Sequence, residues 1–313
     1  MMKFIIPVVL ILAAIPVRAS ESLQIGLLQI EDSVPFYVAE REGYYAGQNL
    51  EVKLIPFLSA LERDSALAAG AIDGAIDDPV GAILFDQGRG SLKITSLCLG
   101  AEPSEGIFAI LAAPGSTIKD LDGLKNTEIA VSGSTIIEYV TDRLLEQRGF
   151  EAKEIKKLEV RQMPIRMQML LSGSVPAATL PEPLASIAVS KGARVLLSDA
   201  DSDESLSQTV IVFRSETLIK RKAEVAAFFK AYGQAVRALN AEPEKYRELF
   251  VDKGRIPPQL AASYPIPTYP LPAPFSRALY EPVIDWLAAK KLVGPLAYET
   301  MVDTDFLEGS NGK

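Results

Sequence analysis

Apolar and polar positions along the chain fall into short bursts of two periods, and the bursts recur. From Asp64 to Pro79 an amphipathic helical turn runs to Gly70, a brief apolar strand follows, and the stretch ends on Asp77-Asp78-Pro79. From Gln168 to Pro183 a degraded copy runs to Gly173, through a second apolar strand, to Pro181-Glu182-Pro183. Glycine at each helix end suits a left-handed cap, and proline after each acidic corner suits the first turn of a new helix. The repeat extends both ways. Strands are expected at Leu23 to Ile30 and Thr127 to Ser132, helices at Val34 to Glu42 and Thr135 to Arg148, and strands at Leu50 to Pro56 and Leu158 to Gln162. Each half then closes with a helix, Val80 to Gln87 or Leu184 to Lys191, and a strand, Leu92 to Leu97 or Arg194 to Leu197.

Strands alternating with helices of this length predict an α/β fold with parallel sheets. Two such halves predict two lobes, each a mostly parallel sheet flanked by helices, with a ligand cleft between them. Beyond the repeat, Leu218, Val225, Phe228, Phe229, Tyr232, Val236 and Leu239 follow a helical stripe expected to pack on the first lobe. The proline-rich segment from Ile256 to Pro274 reads as an extended surface crossing, Arg277 to Lys291 as a helix carrying Trp286, and Asp199 to Ser207 as a solvated acidic loop.

Ligands of such sheets meet the loops at the carboxyl ends of the strands. That rule selects Gln29, Glu31, Asp32, Phe36, Ser59, Asp77 and Asp78 from the first half, and Ser132, Ser134, Thr135, Arg166 and Glu182 from the second. Several have a plainer role open to them. Asp32 or Ser33 could cap the helix entered through Pro35, and Asp78 the helix after Pro79, which leaves Asp77 as the better contact. Of the adjacent Phe36 and Tyr37, at most one can face the cleft. The flanking prolines fix the backbone at Glu182 and aim its side chain. Ser132-Gly133-Ser134-Thr135 turns into a helix and could offer free amides to an acidic group, or be an ordinary cap. Gln208, just before the return crossover, could also reach the cleft.

Composition narrows the chemistry. There is no histidine, which removes imidazole-based triads and the usual zinc sites, and neither a phosphate-binding loop nor a dinucleotide fingerprint occurs. No catalytic residue, metal ligand or cofactor is therefore expected. Cys98 is the sole cysteine and sits in an apolar run, as a buried thiol would. Lys3, the apolar run Phe4 to Ile15 and Val17-Arg18-Ala19 read as a cleaved signal peptide over residues 1–19, which implies export to the periplasm. Its removal takes the net charge from -8 to -10, and a chain this acidic is a poor partner for nucleic acid.

The run VPFYVAEREGYYAGQNLEVKLIPF, the AGAID box at Ala69 to Asp73, the segment TIKDLDGLKNTEIAVSGST and the LPEPLASIAVSKGARVL stretch together resemble the solute-binding proteins of ABC importers, in the nitrate, sulfonate, taurine and thiamine-precursor group. Where that family often has glycine before the second strand, this chain has Asn49, which tolerates the same left-handed backbone. The resemblance implies a type II periplasmic-binding-protein fold. Residues 20–110 and 208–313 would form lobe 1 and residues 111–207 lobe 2, with crossovers at Gly106 to Pro114 and Ser207 to Ser215. It further implies a monomer that closes on a solute and delivers it to an ABC permease and its ATPase. Pyrimidine-forming synthases and dehydratases share the resemblance, but the synthases use histidine and a cysteine-rich stretch, both missing here. A receptor's sensing module is a third reading. Five carboxylates against Arg166 at the strand ends favour an amine or nitrogen heterocycle over a simple inorganic anion.

Overall fold

The structure is a computed structural model and describes residues 22–307. The signal-peptide expectation lies outside the described residues. The first half runs β1 (Leu23–Leu28), α1 (Val34–Arg41), α2 (Tyr44–Gly47), β2 (Val52–Phe57), α3 (Ala60–Ala68), β3 (Gly74–Asp77), α4 (Pro79–Asp86) and β4 (Leu92–Leu99). Strand β5 (Phe108–Ala112) enters the second half, which continues with β6 (Glu128–Val131), α5 (Ile136–Gln147), β7 (Lys156–Glu159), α6 (Met163–Leu171), β8 (Ala177–Pro181), α7 (Leu184–Ser190) and β9 (Arg194–Ser198). The chain returns through β10 (Thr209–Arg214) and finishes with α8 (Ser215–Lys220), α9 (Lys222–Ala241), α10 (Arg247–Lys253), α11 (Arg277–Ala289) and α12 (Tyr298–Met301).

The two five-stranded sheets have one topology. Their orders are β2-β1-β3-β10-β4 and β7-β6-β8-β5-β9, so each strand of the first has a counterpart at the same place in the second. Pairing is parallel among β1, β2 and β3 and among β6, β7 and β8. In each sheet one antiparallel strand, β10 or β5, is the segment that has just crossed from the other half. Gly70 and Gly173 take the expected left-handed backbone at φ 74° and 72°, and Asn49 does so at 54°. Strand β7 starts and ends earlier than its apolar pattern suggested, although the Val160 amide still donates to the Val131 carbonyl at 2.8 Å.

The two crossings lie side by side. Asp199 accepts a hydrogen bond from the Phe108 amide at 2.8 Å, and the Ser205 hydroxyl donates to the Gly100 carbonyl at 2.7 Å. Gly106 packs so closely that an added Cβ would fall 2.4 Å from the Ala200 nitrogen, so only glycine fits there. Phe108 already belongs to the second sheet, slightly ahead of the expected boundary after residue 110. Asp199 corrects the reading of residues 199–207 as a solvated loop: its carboxylate is buried where it ties one crossing to the other.

Helix α9 packs its stripe as expected, with Phe228, Phe229 and Tyr232 among the rings of the first lobe's core. Trp286 on α11 reaches toward the second half, its ring edge-on to Tyr139 and its indole N–H donating to Asp142 of α5 at 3.2 Å. The proline-rich segment is more than a surface crossing. Tyr264 and Tyr269 turn inward, and Tyr269 donates to the Glu31 carbonyl at 2.8 Å. No helix among the described residues is long and apolar enough to cross a membrane.

Candidate functional site

A cavity of about 680 Å³ lies between the two sheets, at the carboxyl ends of their parallel strands. Its first wall comes from the end of β1, the start of α3 and the β3–α4 corner. Its second comes from the Ser132–Ile137 loop, Arg161 to Met163 and Pro181. The starts of the two crossing strands, Phe108 and Gln208 with Thr209, form its back.

On the first wall the acidic corner is built around a side chain that the strand-end rule did not select. Arg63 projects from α3, is 1% exposed, and pairs with Asp64 at 2.7 Å and with Asp77. Burial alone would lower the guanidinium's pKa, but the surrounding Asp64, Asp77 and Asp78 outweigh it and raise it. Asp77 is itself pushed well up by burial despite that partner, and one of its carboxylate oxygens, Oδ2, has no hydrogen-bond partner. Asp78 caps α4, accepting from the Gly81 amide at 2.8 Å, and burial pushes it up to about 6. Ser59 likewise caps α3 while lining the cavity.

Asp32 and Ser33 do not cap helix α1. The Ser33 hydroxyl turns back to the Leu28 carbonyl at 2.7 Å, whereas Asp32 accepts from Thr209 at 2.7 Å and leaves its other oxygen unpaired. Burial pushes Asp32 up to about 6. Glu31 is pushed further, to about 8, by burial and then by the charge of Asp32. It stands near Glu182 of the second lobe, and Tyr264 lies between them, its hydroxyl donating to Glu182 at 3.4 Å. Glu182 is not held out into the cavity. It accepts from the Ser186 amide and hydroxyl at 3.1 and 3.0 Å, and burial raises its pKa.

Two of the selected residues, Phe36 and Arg166, lie away from the cavity lining. Phe36 is fully buried in the first lobe's core against Phe228 and Tyr232, because helix α1 turns that face inward; Tyr37 beside it is half-buried under Lys253. Arg166 is also fully buried and serves the backbone, donating to the carbonyls of Val160 at 3.1 Å and Thr179 at 3.0 Å. Burial draws its pKa down to about 10. The Ser132–Thr135 loop does line the cavity, but two of its amides are taken: Gly133 donates to Glu159 at 2.8 Å and Ser134 to Glu138 at 2.7 Å. Thr135 caps α5 through the Ile137 amide. Gln29 is not part of the lining and accepts from Arg255 at 2.8 Å. Cys98 is the buried thiol foreseen, next to Tyr232 at 3.1 Å and pushed up to about 12 by burial.

Two lobes of one topology around such a cavity are what a binding-protein architecture requires, and the sequence comparison agrees. The NMT1/THI5 like family model matches residues 31–246, which span both lobes and both crossings. The chain belongs to the NMT1/THI5 like family. No curated protein matches this family member by sequence. Among solved structures, the ligand-binding component of an ABC-type import system from Staphylococcus aureus, with zinc bound, is similar at 18% identity. Its TM-score is 0.75, over 93% of this chain and 99% of that one. The alkanesulfonate-binding protein SsuA from Xanthomonas axonopodis pv. citri, bound to MOPS, is similar at 17% identity with a TM-score of 0.73, over 88% and 94%. The desulfurization enzyme DszB shares the fold as well, at 14% identity with a TM-score of 0.71, over 93% and 98%. Likeness at these identities establishes the fold, and the fold hosts both binding proteins and an enzyme. In this NMT1/THI5 like chain, no group of three or more His, Cys, Asp or Glu side chains among the described residues is arranged to hold a metal ion.

Proposed function

We propose that this protein is the extracytoplasmic solute-binding component of an ABC importer. It captures a small organic solute bearing an amine or nitrogen heterocycle and hands it to a membrane permease with its ATPase. The observation that carries the reading is the interlobe cavity of about 680 Å³, within the range of small-molecule sites, with polar groups from both lobes around it. A solute touching both walls gains contacts in the closed form that it lacks in the open one, so binding favours closure. Residues 22–107 with 208–307, and residues 108–207, move as the two bodies, as a monomer, about the paired crossings. Asp77, Ser132 and the Gln208–Thr209 pair are the contacts proposed first.

Binding without turnover is the reading favoured over an enzyme of the same fold. The chain has no histidine, and the thiol of its one cysteine is buried and pushed up to about 12, so neither an imidazole base nor an available thiolate stands at the cleft. Native mass spectrometry of freshly purified protein should find a retained small molecule, and small-angle scattering should show the particle contract when that molecule is restored to stripped protein. Conversion of the retained molecule to a product by the purified protein would refute the reading.

A further inference from the structure

The inventory of hydrogen-bonding groups around the cavity is one-sided. Asp77 Oδ2 and Gln208 Oε1 are buried, line the cavity and have no hydrogen-bond partner; their side chains are 2% and 1% exposed. Strand register puts them together: β10 runs antiparallel to β3 with Val210 opposite Asp77, so Gln208 and Thr209 start beside the acidic corner. Through Thr209 the group reaches Asp32, whose Oδ1 is also buried and unpartnered. All three orphaned atoms are acceptors.

The arginines around the cavity, by contrast, each have a partner. Arg63 is held by Asp64 and Asp77, Arg161 by Glu159 at 2.8 Å, and Arg89 by the carbonyls of Phe85 and Asp86. At two of the helix starts that face the cavity amides are taken from within, at α4 by Asp78 and in the α5 loop by Glu138 and Glu159. An anionic ligand would meet paired guanidinium groups and the carboxylates of the acidic corner, while a donor-rich ligand would satisfy acceptors that nothing in the protein reaches.

We infer that the ligand is a cation carrying two or more N–H donors, of the amidinium or guanidinium kind. It has no carboxylate, sulfonate or phosphate group, and its charged end rests on Asp77, Gln208 and Asp32 of the first lobe. This rests on the capture reading and sharpens it, and it departs from the acidic group expected for the Ser132 loop.

A matched set of probes tests it by titration calorimetry on the full chain: benzamidine, its neutral isostere benzamide, its anionic counterpart benzenesulfonate, and the zwitterion 4-amidinobenzoate. Benzamidine should bind at least about tenfold more tightly than benzamide, the factor that 1.4 kcal/mol represents, and benzenesulfonate should not bind at millimolar concentration. The zwitterion should bind more weakly than benzamidine. In Asp77→Asn and, separately, Asp32→Asn, the preference for benzamidine over benzamide should shrink toward parity. Asp32 has no contact with the Arg63 pair, so that variant answers even if Asp77→Asn misfolds. Equal binding of benzamidine and benzamide, or tighter binding of benzenesulfonate, overturns the cationic assignment while leaving solute capture in place. Failure of all four probes to bind counts against both.

Discussion

Glu31 offers the most direct measurement of what the cleft's buried charge costs. Its carboxyl lies on the turn after β1, is 4% exposed, and has an oxygen with no partner. Burial is the main cause of its rise from an ordinary 4.5 to about 8, Asp32 and Glu182 add to it, and the Tyr264 hydroxyl opposes it. Between those two values the folded protein holds a proton that the unfolded chain has released. The contribution to stability is therefore fully present below about pH 4.5 and is lost as the pH climbs through about 8. At about 1.4 kcal/mol per pH unit the interval sets a ceiling of about 5 kcal/mol. Glu31→Gln keeps the shape and removes the titration. Urea unfolding of the two proteins at about pH 5 and about pH 9 should show the variant gaining on the parent by about 2 to 5 kcal/mol across that range. Asp32, Asp78 and Asp199 are also pushed up to about 6 and tilt both curves the same way, so the difference isolates Glu31. A gap between the curves that does not change with pH would refute the argument.

The two buried arginines should respond unequally to replacement. Arg63→Met strands Asp64 and Asp77 and should cost about 3 to 5 kcal/mol in urea unfolding near neutral pH, whereas Arg166→Met abandons only carbonyls and should cost about 1 to 3 kcal/mol. Glu159→Ala frees the Gly133 amide, and the variant should show a benzenesulfonate-dependent shift of that amide in NMR spectra that the parent lacks. Trp286 is the sole tryptophan and touches α5 from α11, so its emission should change when a retained solute is removed and restored; an unaltered spectrum would mean that this contact survives lobe movement unaltered.

Much of the architecture was legible because the repeat is written in local chemistry. Gly70 and Gly173 stop helices for reasons internal to their own turns, and the acidic and proline corners start the next ones. The site was only partly legible, since it depends on pairings that skip along the chain. Asp77 was found from its place at a strand end. Arg63 was missed: a charged residue inside a helix reads as solvated until the helix is known to lean on β3. Tyr264 was missed for a similar reason, lying about eighty residues beyond the glutamate it contacts. The one available signal was a tyrosine repeated within a proline-rich segment, which marks anchoring points in an otherwise extended chain. The Ser132 loop misled in the opposite sense, because Glu159 comes from a neighbouring strand to claim the amide that the local motif advertises.

The repeat also explains why the expected contact Arg166 is not one. Arg63 stands seven residues before Gly70, and Arg166 stands seven before Gly173, so the two occupy one position of the duplicated module. Each is fully or almost fully buried, on the helix before the strand that ends in the corner. Their surroundings differ at the positions that the duplication makes equivalent. Asp64, six before Gly70, is matched by Met167, and Asp77, seven after it, by Leu180. With the carboxylates gone, Arg166 turns to backbone carbonyls and its pKa falls, while Arg63 keeps its acids and rises. An arginine retained in both settings belongs to the module's framework, bracing helix against sheet. What differs between the lobes is the acids, and of Asp64 and Asp77 the one whose carboxylate keeps an oxygen without a partner, Asp77, faces the cavity only in the first. The cleft is thus chemically lopsided even though its scaffold is nearly symmetric, and a solute with one charged end would enter in a single orientation.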